Sequence, residues 1–365
     1  MMLRQLGRAL LLWLCVLEAL AGVRGWWGLS WLGRGRQRWL LVPLVLAALR
    51  PARLWAWAAS MAATAPAAVL LHGAAASLRH PALDPLLRLR PGRYSDRTIT
   101  RCDIPLDGGG LPALHIVPAG GSQAAVCKLH GSGDDKTEFA WPMVDRLIAR
   151  GIAVLLVDLD GHGESPRPQR YPEILQNASA AVGWLRARYR RVGLVGVSLG
   201  GCVAARAVAD GLAVDALAVL EAPPRLHFTR SDMAREALAL ASPAVLELCR
   251  EGTPAALIRA MRYAPIRAEI STWDLIAALD LPASLPRITA PLLAIYGGGD
   301  AIVKPAQAAE VRRFLPPAAR FALIPRASHL TLILTPAALD LLAGWLAEQL
   351  LAGAVGRSTA VRLQG

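Results

Sequence analysis

Val195-Gly196-Val197-Ser198-Leu199-Gly200-Gly201 sets a serine between glycines, where an apolar run at 191–197 meets a segment of helical period at 199–209. Strand, sharp turn and helix in that order make a nucleophile elbow: the glycines permit a strained turn, and the turn presents the hydroxyl. The helix start also aims backbone N–H groups at any oxyanion that develops beside it. A serine hydroxyl is a weak nucleophile at neutral pH and needs a base. Seven histidines are available: His72, His80, His115, His130, His162, His227 and His329. If the order along the chain is serine, acid, histidine, His329 is the base, in Pro325-Arg326-Ala327-Ser328-His329 after the last apolar strand. An acid must then orient the imidazole and stabilise its positive charge. Asp300 follows Tyr296-Gly297-Gly298-Gly299, and Glu221 follows an apolar run at 215–220. Asp300 is favoured, because the glycine run allows a close approach and Ile302-Val303 can pack beneath it; Glu221 remains the rival.

These residues need a scaffold that brings strand ends together. From about Tyr94 the pattern alternates, with apolar strand candidates at 113–117, 124–129, 152–157, 191–197, 215–220, 292–296 and 321–324. Between most of them lie segments of helical period, at 138–150, 171–189, 199–209 and 306–314. Continuous apolar strands separated by helices describe a mostly parallel sheet covered on both faces. The stretch 223–288 is proline-punctuated, helix-prone and too long for a simple connection, so it reads as a helical cap over the carboxyl edge of the sheet.

The first ninety residues differ from the rest. Hydrophobic residues make up 54% of the chain, charged residues 18%, and mean hydropathy is +0.38, which excludes disorder and predicts contact with a membrane. Net charge is +13, but twelve arginines against two acids place +10 of it between Met1 and Arg93. Seven of the eleven tryptophans lie there too. Arginine and tryptophan flanking apolar runs suit a bilayer interface, whereas nucleic acid would require a basic folded surface that the core lacks. The apolar runs are 9–23, 39–49 and 54–78. The last is long enough for a transmembrane helix. The first, behind Arg4 and Arg8 and containing Ala19-Leu20-Ala21, fits either an anchor or an export signal cleaved near Ala21. Five widely spaced cysteines (Cys15, Cys102, Cys127, Cys202, Cys249) read as buried free thiols, not a disulfide framework or a zinc site.

The chain from about 94 to 352 resembles the α/β-hydrolase superfamily, especially capped serine hydrolases of the monoacylglycerol-lipase-like and serine-aminopeptidase-like groups. Leu129-His130-Gly131-Ser132-Gly133 is similar to the family's oxyanion loop, and Asp158-Leu159-Asp160-Gly161-His162-Gly163-Glu164-Ser165 to its Asp-x-x-Gly-x-Gly-x-Ser turn. Their order relative to Ser198, Asp300 and His329 matches the family. The resemblance implies an α/β-hydrolase fold in which Ser198 is the nucleophile, Asp300 the acid and His329 the base. It also implies that the backbone N–H groups of Ser132 and Leu199 form the oxyanion hole, while His130 and His162 organise their loops.

The expected organisation is an apolar, Arg/Trp-rich membrane-associating region at 1–90, an α/β-hydrolase domain at 94–352 with its cap at 223–288, and a tail at 353–365. The expected activity is hydrolysis of a carboxylic ester, a lipid-like one favoured, through an acyl-enzyme, with no metal and no organic cofactor implied. A serine peptidase or acyltransferase using the same residues is an alternative, as is a catalytically silent, membrane-tethered interaction module. Asp134-Asp135 reads as a solvated acidic turn, with capture of a substrate amine as its functional alternative.

Overall fold

The structure is a computed structural model that describes residues 2–23, 57–65, 67–68, 71, 91–137, 139–239 and 266–351. The chain divides into two compact units, Met1–Leu89 with Ala237–Arg262, and Arg90–Glu236 with Tyr263–Gly365.

The second unit is built on one nine-stranded sheet, ordered β1-β2-β3-β5-β4-β6-β7-β8-β9. β1 (Gly92–Arg93), β2 (Arg97–Leu106) and β3 (Gly109–Pro118) form an antiparallel edge. β3 pairs antiparallel with β5 (Ala153–Val157). From β5 the sheet is parallel through β4 (Ala124–Leu129), β6 (Arg191–Val197), β7 (Ala216–Leu220), β8 (Leu292–Gly297) and β9 (Arg320–Ile324). Every residue of β4, β5, β7 and β8 is buried, which is why these strands read as unbroken apolar runs. β2, next to the two-residue edge strand β1, buries only Arg97, Ile99 and Ile104, and its polar and charged residues, Arg97, Thr98, Thr100, Arg101 and Asp103, hide it from a search for apolar runs.

Helices cover both faces. α1 is Met2–Val23, in the first unit. In the second unit, α2 (Trp141–Ile148) packs against the C-terminal helix on one face, and α3 (Leu175–Arg186) packs against α4 (Leu199–Ala209) on the other. β5 and β6 lie on opposite sides of β4, so the order of strands reverses there, the place where open α/β sheets carry a site beyond the carboxyl ends of their strands. Within the expected cap the structure describes α5 (Arg230–Ala239) and α6 (Thr272–Leu279); residues 240–265 lie outside the described residues. α6 starts on a Ser271 N-cap, whose hydroxyl accepts the Asp274 N–H at 3.1 Å, and it packs against α4.

The expectation of a transmembrane helix finds no support in the structure: among the described residues, no helix is long and apolar enough to cross a membrane. α1 has the length but carries Arg4, Arg8 and Glu18. Its buried residues include Ala9, Leu12, Cys15 and Glu18, a stripe of period three, as in a helix with one face packed on protein. The run at 39–49 and most of the run at 54–78 lie outside the described residues. Cys15, Cys127 and Cys202 are buried free thiols as expected, Cys102 is a free thiol half-buried, and Cys249 falls outside the described residues.

Candidate active site

Ser198 stands at the junction of β6 and α4 with φ +51° and ψ −116°, a backbone region that non-glycine residues avoid. Its neighbours hold it there. The Ser198 N–H donates to the Leu220 carbonyl at 2.8 Å, and the Gly200 N–H to the His130 carbonyl at 3.1 Å. A Cβ on Gly200 would stand 2.4 Å from the Leu129 oxygen and 2.5 Å from that of His130, and one on Gly196 would stand 2.3 Å from the Gly200 oxygen. Glycine is therefore required for the elbow to lie flush against the loop that follows β4.

Three side chains from three strand ends meet at this point. His329 Nε2 is 3.1 Å from Ser198 Oγ, and His329 Nδ1 is 2.8 Å from Asp300 Oδ2. Asp300 Oδ1 accepts the N–H groups of Ile302 and Val303, each at 2.7 Å, so the pair expected to pack beneath Asp300 also orients it. The preceding glycines lie against the loop that carries His329. Gly299 N–H donates to the Ala327 oxygen at 2.9 Å, and a Cβ on Gly297 would stand 2.3 Å from that same oxygen. The Asp300 side chain is fully buried and that of His329 is 13% exposed. Ser198 is half-buried, hence within reach of a substrate. The rival acid Glu221 is also present, with Oε2 4.0 Å from His329 Nδ1, beyond hydrogen-bond length.

The loop after β4 turns over Gly131-Ser132-Gly133-Asp134, where Asp134 N–H meets the Gly131 oxygen at 3.4 Å and Gly133 takes φ +86°. A Cβ on Gly131 would stand 3.5 Å from Ser198 Cβ, so the loop that carries Ser132 lies against Ser198. Leu199 is the first residue of α4, where a helix leaves its amide without an intrahelical partner. Ser132 Oγ lies 3.2 Å from Thr272 Oγ1, which ties the loop to the start of α6.

His130 and His162 are built into the loops. The His130 ring meets the Gly131 oxygen through Nδ1 at 2.7 Å and accepts the Leu159 N–H on Nε2 at 3.0 Å; burial holds it well below the usual histidine range. His162 Nδ1 lies 3.0 Å from the Asp160 oxygen, and burial lowers this imidazole as well. The Asp-x-x-Gly-x-Gly-x-Ser turn is wound around the Asp158 carboxylate. Asp158 accepts the Lys136 N–H at 2.8 Å and the Glu164 N–H at 2.9 Å, and pairs with the Lys136 ammonium. Burial opposes the charge on Lys136, but Asp158 and Glu164 outweigh it and hold the ammonium above its usual value. Replacing Lys136 with methionine leaves a buried carboxylate without its counter-charge, and a loss of about 3 kcal/mol is expected in a urea unfolding curve. A loss under about 1 kcal/mol would mean that the two backbone N–H groups suffice.

Two departures from the sequence reading concern acids. Asp135 accepts the N–H and hydroxyl of Thr137, each at 2.6 Å, as a turn residue would, but Asp134 is only half-exposed and burial pushes its carboxyl up to about 6. The pair is therefore not a uniformly solvated turn. Glu236, on α5, was not singled out by the sequence. It is buried and accepts the Ala301 N–H at 2.7 Å and the Leu330 N–H at 3.1 Å, clamping together the loops that carry Asp300 and His329. Nothing in Ala234-Arg235-Glu236-Ala237-Leu238 distinguishes it from a solvated helix residue.

Glu221, Asp300 and His329 offer ligand atoms within 4.8 Å of one another. The nitrogen in that set, Nδ1, already bonds to Asp300, so the cluster fits an imidazole with its acid better than a metal centre. Cys202 donates to the Pro223 oxygen at 3.3 Å, and burial raises its thiol far above the reactive range, which leaves it a packing role.

A family model described as the alpha/beta hydrolase family matches residues 129–340. No match was found among curated proteins. Among solved structures, the 2,6-dihydroxy-pseudo-oxynicotine hydrolase aligns over 87% of this chain and 85% of its own, at 19% identity and TM-score 0.51. A bromoperoxidase from Bacillus anthracis covers 69% of this chain and 100% of its own, at 17% identity and TM-score 0.53. The alpha/beta hydrolase GrgF from Penicillium sp. sh18 covers 70% and 99%, at 18% identity and TM-score 0.54. At such identities the likeness bears on the fold alone.

Proposed function

The chain belongs to the alpha/beta hydrolase family, and from that premise we propose that it is a serine hydrolase cleaving carboxylic esters through an acyl-enzyme. The observation that carries this reading is the hydrogen-bonded row Ser198 Oγ, His329 Nε2, His329 Nδ1 and Asp300 Oδ2, with contacts of 3.1 and 2.8 Å. His329 takes the Ser198 proton as Oγ bonds to the ester carbonyl carbon. The oxyanion is met by the N–H groups of Leu199 and Ser132. As the carbon–oxygen bond to the alcohol breaks, His329 gives that proton to the departing oxygen, and Asp300 balances the imidazolium in between. Water then repeats the sequence on the acyl-enzyme and frees Ser198.

A lipid-like ester held at a membrane surface is the favoured substrate. Support comes from the arginine- and tryptophan-rich first ninety residues, which suit attachment in the interface plane. It comes also from the tilted pair Phe228 and Trp273, ring centres 5.4 Å apart, with Trp273 exposed next to Thr272 at the oxyanion loop. One experiment addresses both points. Full-length protein should hydrolyse a short 4-nitrophenyl ester in solution, and should turn over a long-chain ester in phosphatidylserine vesicles faster than in neutral vesicles at low salt. Equal rates on the two vesicle types would remove the surface attachment, and no hydrolysis of any ester would remove the reading itself.

A further inference from the structure

Glu221 is a fully buried carboxyl that accepts no N–H or hydroxyl among the described residues; the group within hydrogen-bonding reach of it is the carboxyl of Asp300. Its backbone sits at φ +51°, a positive value that non-glycine residues rarely adopt, and its N–H donates to the Ile295 oxygen at 2.9 Å. A glycine here would remove the backbone strain and the buried acid together, so neither backbone nor packing accounts for the side chain. It points toward the nitrogen that Asp300 already holds, 4.0 Å from His329 Nδ1. We infer that Glu221 is a reserve acid for His329, a positioning residue able to take over the Nδ1 bond when Asp300 does not hold it.

The surroundings fit that role. Asp300 and Tyr296 face Glu221 from the β8 side, His329 from the loop after β9 and Glu236 from α5. None of these carries a permanent positive charge. Three carboxyls so close together cannot all ionise. Asp300 has two backbone N–H groups on Oδ1 and Glu236 has one on each oxygen, donors that suit a carboxylate. Glu221 has no such donors, and burial followed by the charges of Asp300 and Glu236 pushes its carboxyl well above the usual range. It therefore keeps its proton while Asp300 is ionised. When Asp300 is made neutral, one repulsive charge disappears, Glu221 releases its proton to solvent at a lower pH than before, and its carboxylate accepts Nδ1–H.

This inference rests on the serine hydrolase reading, and the test separates the two. The readout is the rate of covalent labelling by a fluorophosphonate across a range of pH, for wild type, Asp300→Asn, Glu221→Gln and the double variant. Loss of the acid alone costs on the order of 10⁴ in a serine protease. Asp300→Asn is expected to lose only about 10²-fold here, with a rate that climbs as pH rises and Glu221 ionises. In that background Glu221→Gln should cost a further factor of about ten or more and flatten the climb, whereas with Asp300 present its cost is several-fold smaller. Equal rates for Asp300→Asn and the double variant would overturn the reserve role and leave the serine hydrolase reading standing. If the double variant does not fold, the pH profile of Asp300→Asn decides by itself, and a flat profile overturns the inference. Absence of labelling in wild type would overturn both.

Discussion

Replacing Ser198 with alanine is expected to lower ester turnover by a factor on the order of 10⁶, with the thermal unfolding midpoint kept within a few degrees. The size follows from what is removed. In the proposed mechanism Ser198 Oγ is the atom that bonds to the substrate, and His329 Nε2 stands 3.1 Å from it. Without the nucleophile, His329 and the loop amides can only polarise the ester for attack by water. His329→Ala should cost nearly as much, and Ser198→Ala with His329→Ala little more than either alone, because the two act as a unit. Turnover falling less than about tenfold in Ser198→Ala would mean that another group attacks the substrate.

Gly200→Ala is expected to be among the most damaging single-methyl additions in the second unit. Its Cβ would meet backbone, the Leu129 and His130 oxygens at 2.4 and 2.5 Å, and backbone cannot rotate aside as a side chain can. α4 must lift away from the loop after β4, which breaks the 3.1 Å bond from Gly200 N–H to His130 and separates Leu199 from Ser132. A loss above about 4 kcal/mol in urea unfolding is expected. In any folded fraction, activity should be lower by about 10²-fold, since catalysis tolerates little misplacement. Gly183→Ala in α3 is the matched control. Nothing lies within 4 Å of its Cβ position, so a gain of about 0.5–1 kcal/mol is expected from helix propensity. If the two variants behaved alike, the close packing of elbow and loop would not be what fixes the site.

The parallel strands and the elbow were legible in the sequence because burial on both faces leaves continuous apolar runs, and because the Ser198 turn tolerates little but glycine around it. The antiparallel edge was harder to read. β2 buries only three of its ten residues, and its arginines and threonines break the apolar signal, although Asp107-Gly108 at its hairpin is a recognisable turn. Asp300 and Glu221 could be ranked but not separated by sequence, since adjacent strands β7 and β8 deliver both to the same imidazole nitrogen. Glu236 was invisible because its role comes from tertiary contacts, two amides on two distant loops. The transmembrane expectation fell on the run at 54–78, most of which lies outside the described residues. Along α1, the charges of Arg4, Arg8 and Glu18 and a stripe of buried positions argue for packing instead.

The central claim, that Ser198 is the nucleophile of an acyl-transfer site, meets its most direct test in mass spectrometry of the full-length protein after exposure to a fluorophosphonate. The account predicts one adduct, carried by the peptide that contains Ser198, absent from Ser198→Ala and slowed in His329→Ala. An adduct on any other residue that persists undiminished in Ser198→Ala would contradict it.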